Sequence, residues 1–178
     1  MTGLDVFSFI LNRLELIHLQ QTLAGYDEDA TLSIDLLLSL KTCNGRIGAT
    51  GMCLGGHLAY RCALDPRVSA AVTYFATDLH SATLGLGQKD DSLARAGEIK
   101  AELAMIHGTL DNHVPPEGRD LIRKTLRDNG VIFSWYEVAG AQRESFCWSS
   151  VKSRSGVDEN RCLYSRRALE RPLRPSHY

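Results

Sequence analysis

The sequence lacks a charge excess of either sign: 20 Lys and Arg stand against 21 Asp and Glu, a formal net charge of −1. Without a global field to recruit nucleic acid or an anionic membrane surface, a neutral or small-molecule partner is expected. Long hydrophobic runs are also missing, because the first apolar stretch is broken by Asn12, Arg13 and Glu15 well short of a bilayer span. The opening Met1-Thr2-Gly3-Leu4-Asp5 has no positive n-region of the kind that begins a secretory signal. The cysteines lack a pairing pattern: Cys43, Cys53, Cys62, Cys147 and Cys162 are odd in number and follow neither zinc-site nor secreted-disulfide spacing. These absences point to a protein of the reducing cytoplasm with no membrane span and no cysteine zinc site. What remains is a hydrophobic fraction of 44% in 178 residues, enough for one domain with a real core.

Charge is distributed unevenly along the chain. Residues 1–142 hold 12 basic and 17 acidic side chains, whereas residues 143–178 hold 8 and 4. The second stretch is rich in Ser and Arg and ends Arg-Pro-Leu-Arg-Pro-Ser-His-Tyr, which suits a loose basic tail following a domain over 1–142.

Within 1–142 strands alternate with helices. Ala30, Ile34, Leu37 and Leu38 share helical spacing over residues 27–40, and Asn44-Gly45 stops that run. A short strand is predicted over 46–50, a helix over 55–64 ended by Asp65-Pro66, and strands over 68–75 and 103–106. Pro115-Pro116-Glu117 opens a helix with Leu121, Ile122 and Leu126 on one face, Asn129-Gly130 closes it, and a strand follows over 131–138. Residues 76–102 are expected to be a long loop with a short helix over 91–96. Phe7, Ile10, Leu14 and Ile17 place a further helix before Tyr26. The alternation implies an α/β fold, a mainly parallel sheet with flanking helices.

Two constellations carry chemistry. Gly51-Met52-Cys53-Leu54-Gly55-Gly56 sits directly after a strand and before a helix, the context of a nucleophile elbow, in which glycines two residues either side permit a sharp turn that lifts the nucleophile above the sheet. Cys53 is the expected nucleophile. A helix N-terminus beside a thiol favours its thiolate form, and the backbone N–H of Leu54 is the natural first oxyanion donor. The competing reading is a cysteine buried in a tight turn. Asp111, in His107-Gly108-Thr109-Leu110-Asp111-Asn112-His113-Val114-Pro115, follows a strand and comes after the nucleophile in chain order, where an acid that orients a catalytic histidine is expected. Its competitor is an aspartate serving only a local turn.

The run from Gly51 through Gly55-Gly56-His57-Leu58-Ala59-Tyr60, together with Gly108-x-x-Asp111-x-x-Val114-Pro115, resembles the dienelactone hydrolase (carboxymethylenebutenolidase) family over about residues 26–142. The resemblance implies an α/β-hydrolase fold, a Cys-Asp-His triad without metal or cofactor, and hydrolysis of a small lactone or ester through a thioester. Cys53 and Asp111 match the family pattern; the triad histidine does not. The family places it in a segment reading Ala-x-His-x-Phe, where this chain has Ala141-Gln142-Arg143-Glu144-Ser145-Phe146, so Arg143 stands at the expected position. Arginine stays protonated and cannot serve as a general base. His177 is the only later histidine and lies in the tail.

The resemblance also implies strands ahead of the first helix that supply a second oxyanion donor and a glutamate against the cysteine. These are not visible, so a fold cut short at the front and altered after Gln142 is expected, with the first strand left as an open edge that invites self-association. His57 is expected to pack or face solvent on the elbow helix. His107, Asp111 and His113 match no specific metal spacing, and His18 and His80 have no evident partner. Two other readings compete with the enzyme: a non-catalytic fragment acting as a binding module, and a thiol redox protein, which lacks a nearby resolving cysteine.

Overall fold

A computed structural model describes residues 21–86 and 89–142. The helix expected before Tyr26, at Phe7 to Ile17, and the tail from Arg143 onward both lie outside the described residues.

Helix α1, Leu23–Ser39, begins four residues earlier than its periodicity suggests. Thr22 is the reason, since its Oγ1 accepts from the Gly25 N–H at 3.1 Å and satisfies one of the first-turn donors. Strand β1, Ile47–Met52, leads into α2, Leu54–Cys62, and then β2, Val68–Tyr74. The short helix expected over 91–96 is instead a run of turns closed by one 3₁₀ turn, Ala96–Glu98. Strand β3, Glu102–Gly108, is followed by α3, Pro116–Asp128, and by β4, Phe133–Val138. Gly130, at φ +68°, makes the left-handed turn out of α3 that residues with a Cβ adopt reluctantly.

The four strands are parallel and ordered β1-β2-β3-β4, with α2 and α3 as crossovers. The α/β architecture expected from the alternation is the one found. Leu103, Met105 and His107 of β3 are fully buried, while Ala104 and Ile106 between them are half-buried, so the sheet has one dry face. That face meets Ile122 and Leu126 of α3, Val68 and Ala71 of β2, and Tyr60 and Ala63 at the end of α2 in one core. Because all four strands run the same way, the loops after β1, β2, β3 and β4 gather at one edge, where α/β sheets hold their ligands. Cys53 and Asp111 both lie there, as expected.

Candidate active site at the sheet edge

The chain turns sharply at Cys53, which has φ 60° and ψ −123° and caps α2. A non-glycine residue in that region costs about 1–3 kcal/mol and persists only where its surroundings enforce it. The enforcing contacts are visible. The Cys53 N–H donates to the Tyr74 carbonyl at 3.0 Å, and the Cys53 carbonyl accepts from the His57 N–H at 3.2 Å and the Thr77 N–H at 3.3 Å. A Cβ on Gly51 would lie 2.0 Å from the Gly55 carbonyl oxygen, and one on Gly56 2.8 Å from the Tyr74 oxygen. Nothing lies within 4 Å of a Cβ on Gly55, so the need for room falls on Gly51 and Gly56 rather than on the two symmetric glycines of the motif. Leu54 is the first residue of α2, and its N–H therefore has no acceptor within the helix. The other described non-glycine residues with positive φ, Phe75, Asp78 and Ala82, all follow β2 at this same edge.

Asp111 stands three residues beyond β3 and is 2% exposed. Its Oδ1 accepts from the His113 N–H at 2.9 Å, while its Oδ2 is buried with no hydrogen-bond partner. An unpaired buried carboxylate oxygen is costly, and it is what an acid awaiting an N–H donor presents. The chain leaving β4 is fastened to this loop: Thr109 N–H donates to Val138 O at 3.1 Å, Leu110 N–H to Ala141 O at 3.0 Å, and Gly140 N–H to Thr109 Oγ1 at 2.8 Å. The segment in which the family pattern places the triad histidine is thus fastened to the Asp111 loop as far as Ala141, and Arg143 and His177 lie outside the described residues. Among the described residues no histidine ring bonds to the Asp111 carboxylate; the His113 contact is through its backbone N–H.

His107 is fully buried, stacks on Trp135 at 4.6 Å between ring centroids, and has no partner at either ring nitrogen. Burial, helped by the Arg119 charge, pushes its pKa down to about 4. Above about pH 6.5 the ring is neutral in both folded and unfolded chains. As pH falls below that value the unfolded chain binds a proton that the folded chain refuses until about pH 4, so stability is lost across this window, by about 3 kcal/mol at most. Melting temperature should therefore fall more steeply from pH 6.5 to 4 in the natural chain than in His107→Leu, and equal slopes would refute this account.

One part of the site had no signal in the sequence. His57 is buried, not solvated, and belongs to a polar network with Asp90, Ser92 and Arg61 beneath the elbow. Arg61 binds Asp27 through Nε at 2.9 Å and Nη2 at 2.7 Å, Asp91 at 2.8 Å and Ser92 Oγ at 2.7 Å. Burial would raise the Asp90 carboxyl, but the His57 ring 3.3 Å away and the hydrogen bonds from Ser92 outweigh it and hold the group below the usual carboxylate range. Asp27, Arg61 and Asp90 are about thirty residues apart in turn, with no local periodicity to connect them. Among the described residues no group of three or more His, Cys, Asp or Glu is arranged to hold a metal, and no helix is long and apolar enough to cross a membrane.

The chain is similar to known proteins. The model of the dienelactone hydrolase family matches residues 15–147. A Saccharomyces cerevisiae protein named "Putative carboxymethylenebutenolidase" is 55% identical over 128 residues, covering 70% of this chain and 47% of that protein. The carboxymethylenebutenolidase of Pseudomonas putida is 33% identical over 98 residues, covering 54% of this chain and 37% of its own. The chain thus spans about half the length of the yeast relative, and less of the bacterial one. Among solved structures, a dienelactone hydrolase-like promiscuous phosphotriesterase from metagenomic libraries superposes with a TM-score of 0.54 at 20% identity, over 67% of this chain and 46% of its own. Porphyromonas gingivalis dipeptidyl peptidase 4 gives 0.58 at 15% identity, over 84% and 23%. At these identities the two structures show a shared α/β-hydrolase fold.

Proposed function

Because this chain belongs to the dienelactone hydrolase family, we propose that it carries the nucleophile and acid of a cysteine hydrolase that opens a small lactone or ester through a thioester. The observation that carries this reading is the strained turn of Cys53 at the mouth of α2, on the same sheet edge as the half-paired Asp111 carboxylate. Cys53 Sγ attacks the acyl carbon, and the carbonyl oxygen gathers negative charge against the Leu54 N–H. Collapse of that intermediate breaks the acyl C–O bond; the alkoxide, once protonated, departs as an alcohol from an ester or stays as a hydroxyl on the acyl chain from a lactone, and the acyl group stays on sulfur. Water then attacks the thioester, releasing the acid and restoring the thiol. In the family pattern a histidine oriented by Asp111 handles the protons of both steps.

The experiment is incubation of the full chain with an activated aryl ester, followed by mass spectrometry of the intact protein and its peptides. An acyl adduct on Cys53, absent from Cys53→Ala, is expected. An unmodified natural chain would refute the reading. A second reading, a non-catalytic binding module, is favoured by Arg143 at the histidine's position, and it predicts no adduct on Cys53 in the same experiment.

Two further expectations belong to this proposal. Cys43 and Cys62, which form no disulfide among the described residues, suit a reducing compartment, the cytoplasm. Among the described residues β1 pairs only with β2, which leaves its other edge open. Self-association through that edge is expected, seen as a scattering mass that rises with concentration; a constant monomer mass would exclude it.

A further inference from the structure

The Cys53–Leu54 peptide unit holds two groups within one rigid plane, pointing in opposite directions: the Cys53 carbonyl and the Leu54 N–H. Whatever fixes the carbonyl therefore aims the N–H. Two donors fix it, the backbone N–H groups of His57 at 3.2 Å and Thr77 at 3.3 Å. The first is held by the helix. The second belongs to a loop that begins after β2 and runs past Asp78, itself at φ 66°, so it needs an anchor of its own. His57 supplies one: its Nδ1 lies 2.6 Å from the Thr77 carbonyl oxygen. A carbonyl only accepts, so Nδ1 carries the proton and donates. The far side of the ring is anchored too, with Nε2 at 2.9 Å from Ser92 Oγ and 3.3 Å from Asp90 Oδ2. Ser92 and Asp90 are bonded to each other, and Arg61 ties both to Asp27 on α1.

We propose that His57 is a positioning residue for the oxyanion donor: by binding the Thr77 carbonyl it keeps the Thr77 N–H on the Cys53 carbonyl, and so aims the Leu54 N–H at the developing oxyanion. This inference rests on the hydrolase reading of Cys53. It also explains why so many buried polar groups stand beneath one turn. Burying Arg61, Asp90 and His57 is costly compared with an apolar filling, and such networks are retained where they specify one geometry. Here that geometry is the peptide plane behind the sulfur.

The test compares two reactions of Cys53 in the full chain. Acylation by an aryl ester builds an oxyanion and uses the Leu54 N–H; alkylation by iodoacetamide builds none. His57→Leu, which removes both ring contacts, should slow acylation about a hundredfold, the scale of losing an oxyanion donor, while alkylation stays within about threefold. His57→Asn places an amide N–H near the position of Nδ1 and should recover acylation to within about tenfold of the natural chain. Ser92→Ala, which loosens the ring from its far side, should lower the acylation-to-alkylation ratio several-fold, and this variant decides the matter if His57→Leu does not fold. A merely structural role would lower the melting temperature of these variants and leave the ratio of the folded protein unchanged, which would overturn the proposal; so would an equal fall in both rates. If the natural chain alkylates but never acylates, the hydrolase reading itself fails and takes this inference with it.

Discussion

Mixed with an activated aryl ester, the full chain should release no more than about one equivalent of phenol in a burst and then nearly stop. The two halves of the reaction make unequal demands. Acylation needs a nucleophile, an oxyanion donor and a good leaving group, and Cys53 on its strained turn with the Leu54 N–H ahead of α2 supplies what the protein must provide. Deacylation needs a base to activate water. Arg143 stands where the family pattern has histidine and cannot accept a proton at working pH. Asp111 keeps one carboxylate oxygen buried and unpartnered, and no described histidine ring bonds to it. The acyl group should therefore remain on Cys53. Cys53→Ala should abolish the burst, a loss of about a thousandfold or more. Arg143→His, which restores a donor for Asp111 and a base for water, should raise the slow phase by about a hundredfold. Sustained turnover by the natural chain that vanishes in Cys53→Ala would defeat this prediction and show that another base reaches the thioester, with His177 the first to test.

The sheet and its crossovers could be read from the sequence because buried parallel strands leave short apolar runs and helices leave capped periodic ones. Ends were harder to see, for reasons that differ by element. β1 continues through Gly51 and Met52, where glycine weakens the strand pattern, and β3 continues through His107 and Gly108 because burial there overrides the polarity of the ring. α1 starts early because Thr22 caps it, although Leu23-Ala24-Gly25 shows little helical patterning. At the site, Cys53 and Asp111 were legible since each lies in a local motif with a required strand before it. The network below them was not, because Asp27, Arg61, His57 and the Asp90-Asp91-Ser92 run come together only in the folded chain. The glycines were legible as a motif but not in their roles. Symmetry about Cys53 points to Gly51 and Gly55, whereas the backbone that crowds the turn leaves no room at Gly51 and Gly56.

That crowding makes Gly51→Ala the substitution with the largest expected structural effect. The added methyl carbon would sit 2.0 Å from the Gly55 carbonyl oxygen and 2.3 Å from its carbon, far inside contact distance. Both atoms are backbone of the first turn of α2, so no side-chain rotation relieves the overlap. Either the helix lifts away from β1 or the turn at Cys53 opens. The first outcome breaks packing at the end of β1 and should cost about 3 kcal/mol or more, beyond the usual range for an overpacked side chain. In the second, a shift of about 1 Å in the sulfur or the Leu54 N–H should slow acylation by about a hundredfold in whatever protein stays folded. Two controls separate the steric cause from a general intolerance of alanine. A Cβ on Gly48, earlier in the same strand, meets nothing closer than the Ala70 oxygen at 3.7 Å, and one on Gly55 meets nothing within 4 Å. Gly48→Ala and Gly55→Ala should therefore stay within about 1 kcal/mol of the natural chain and keep the burst. Thermal melts and burst amplitudes of the three variants measure this directly. If Gly51→Ala melts and acylates like its two controls, the turn at Cys53 is not held by the contact between β1 and the start of α2.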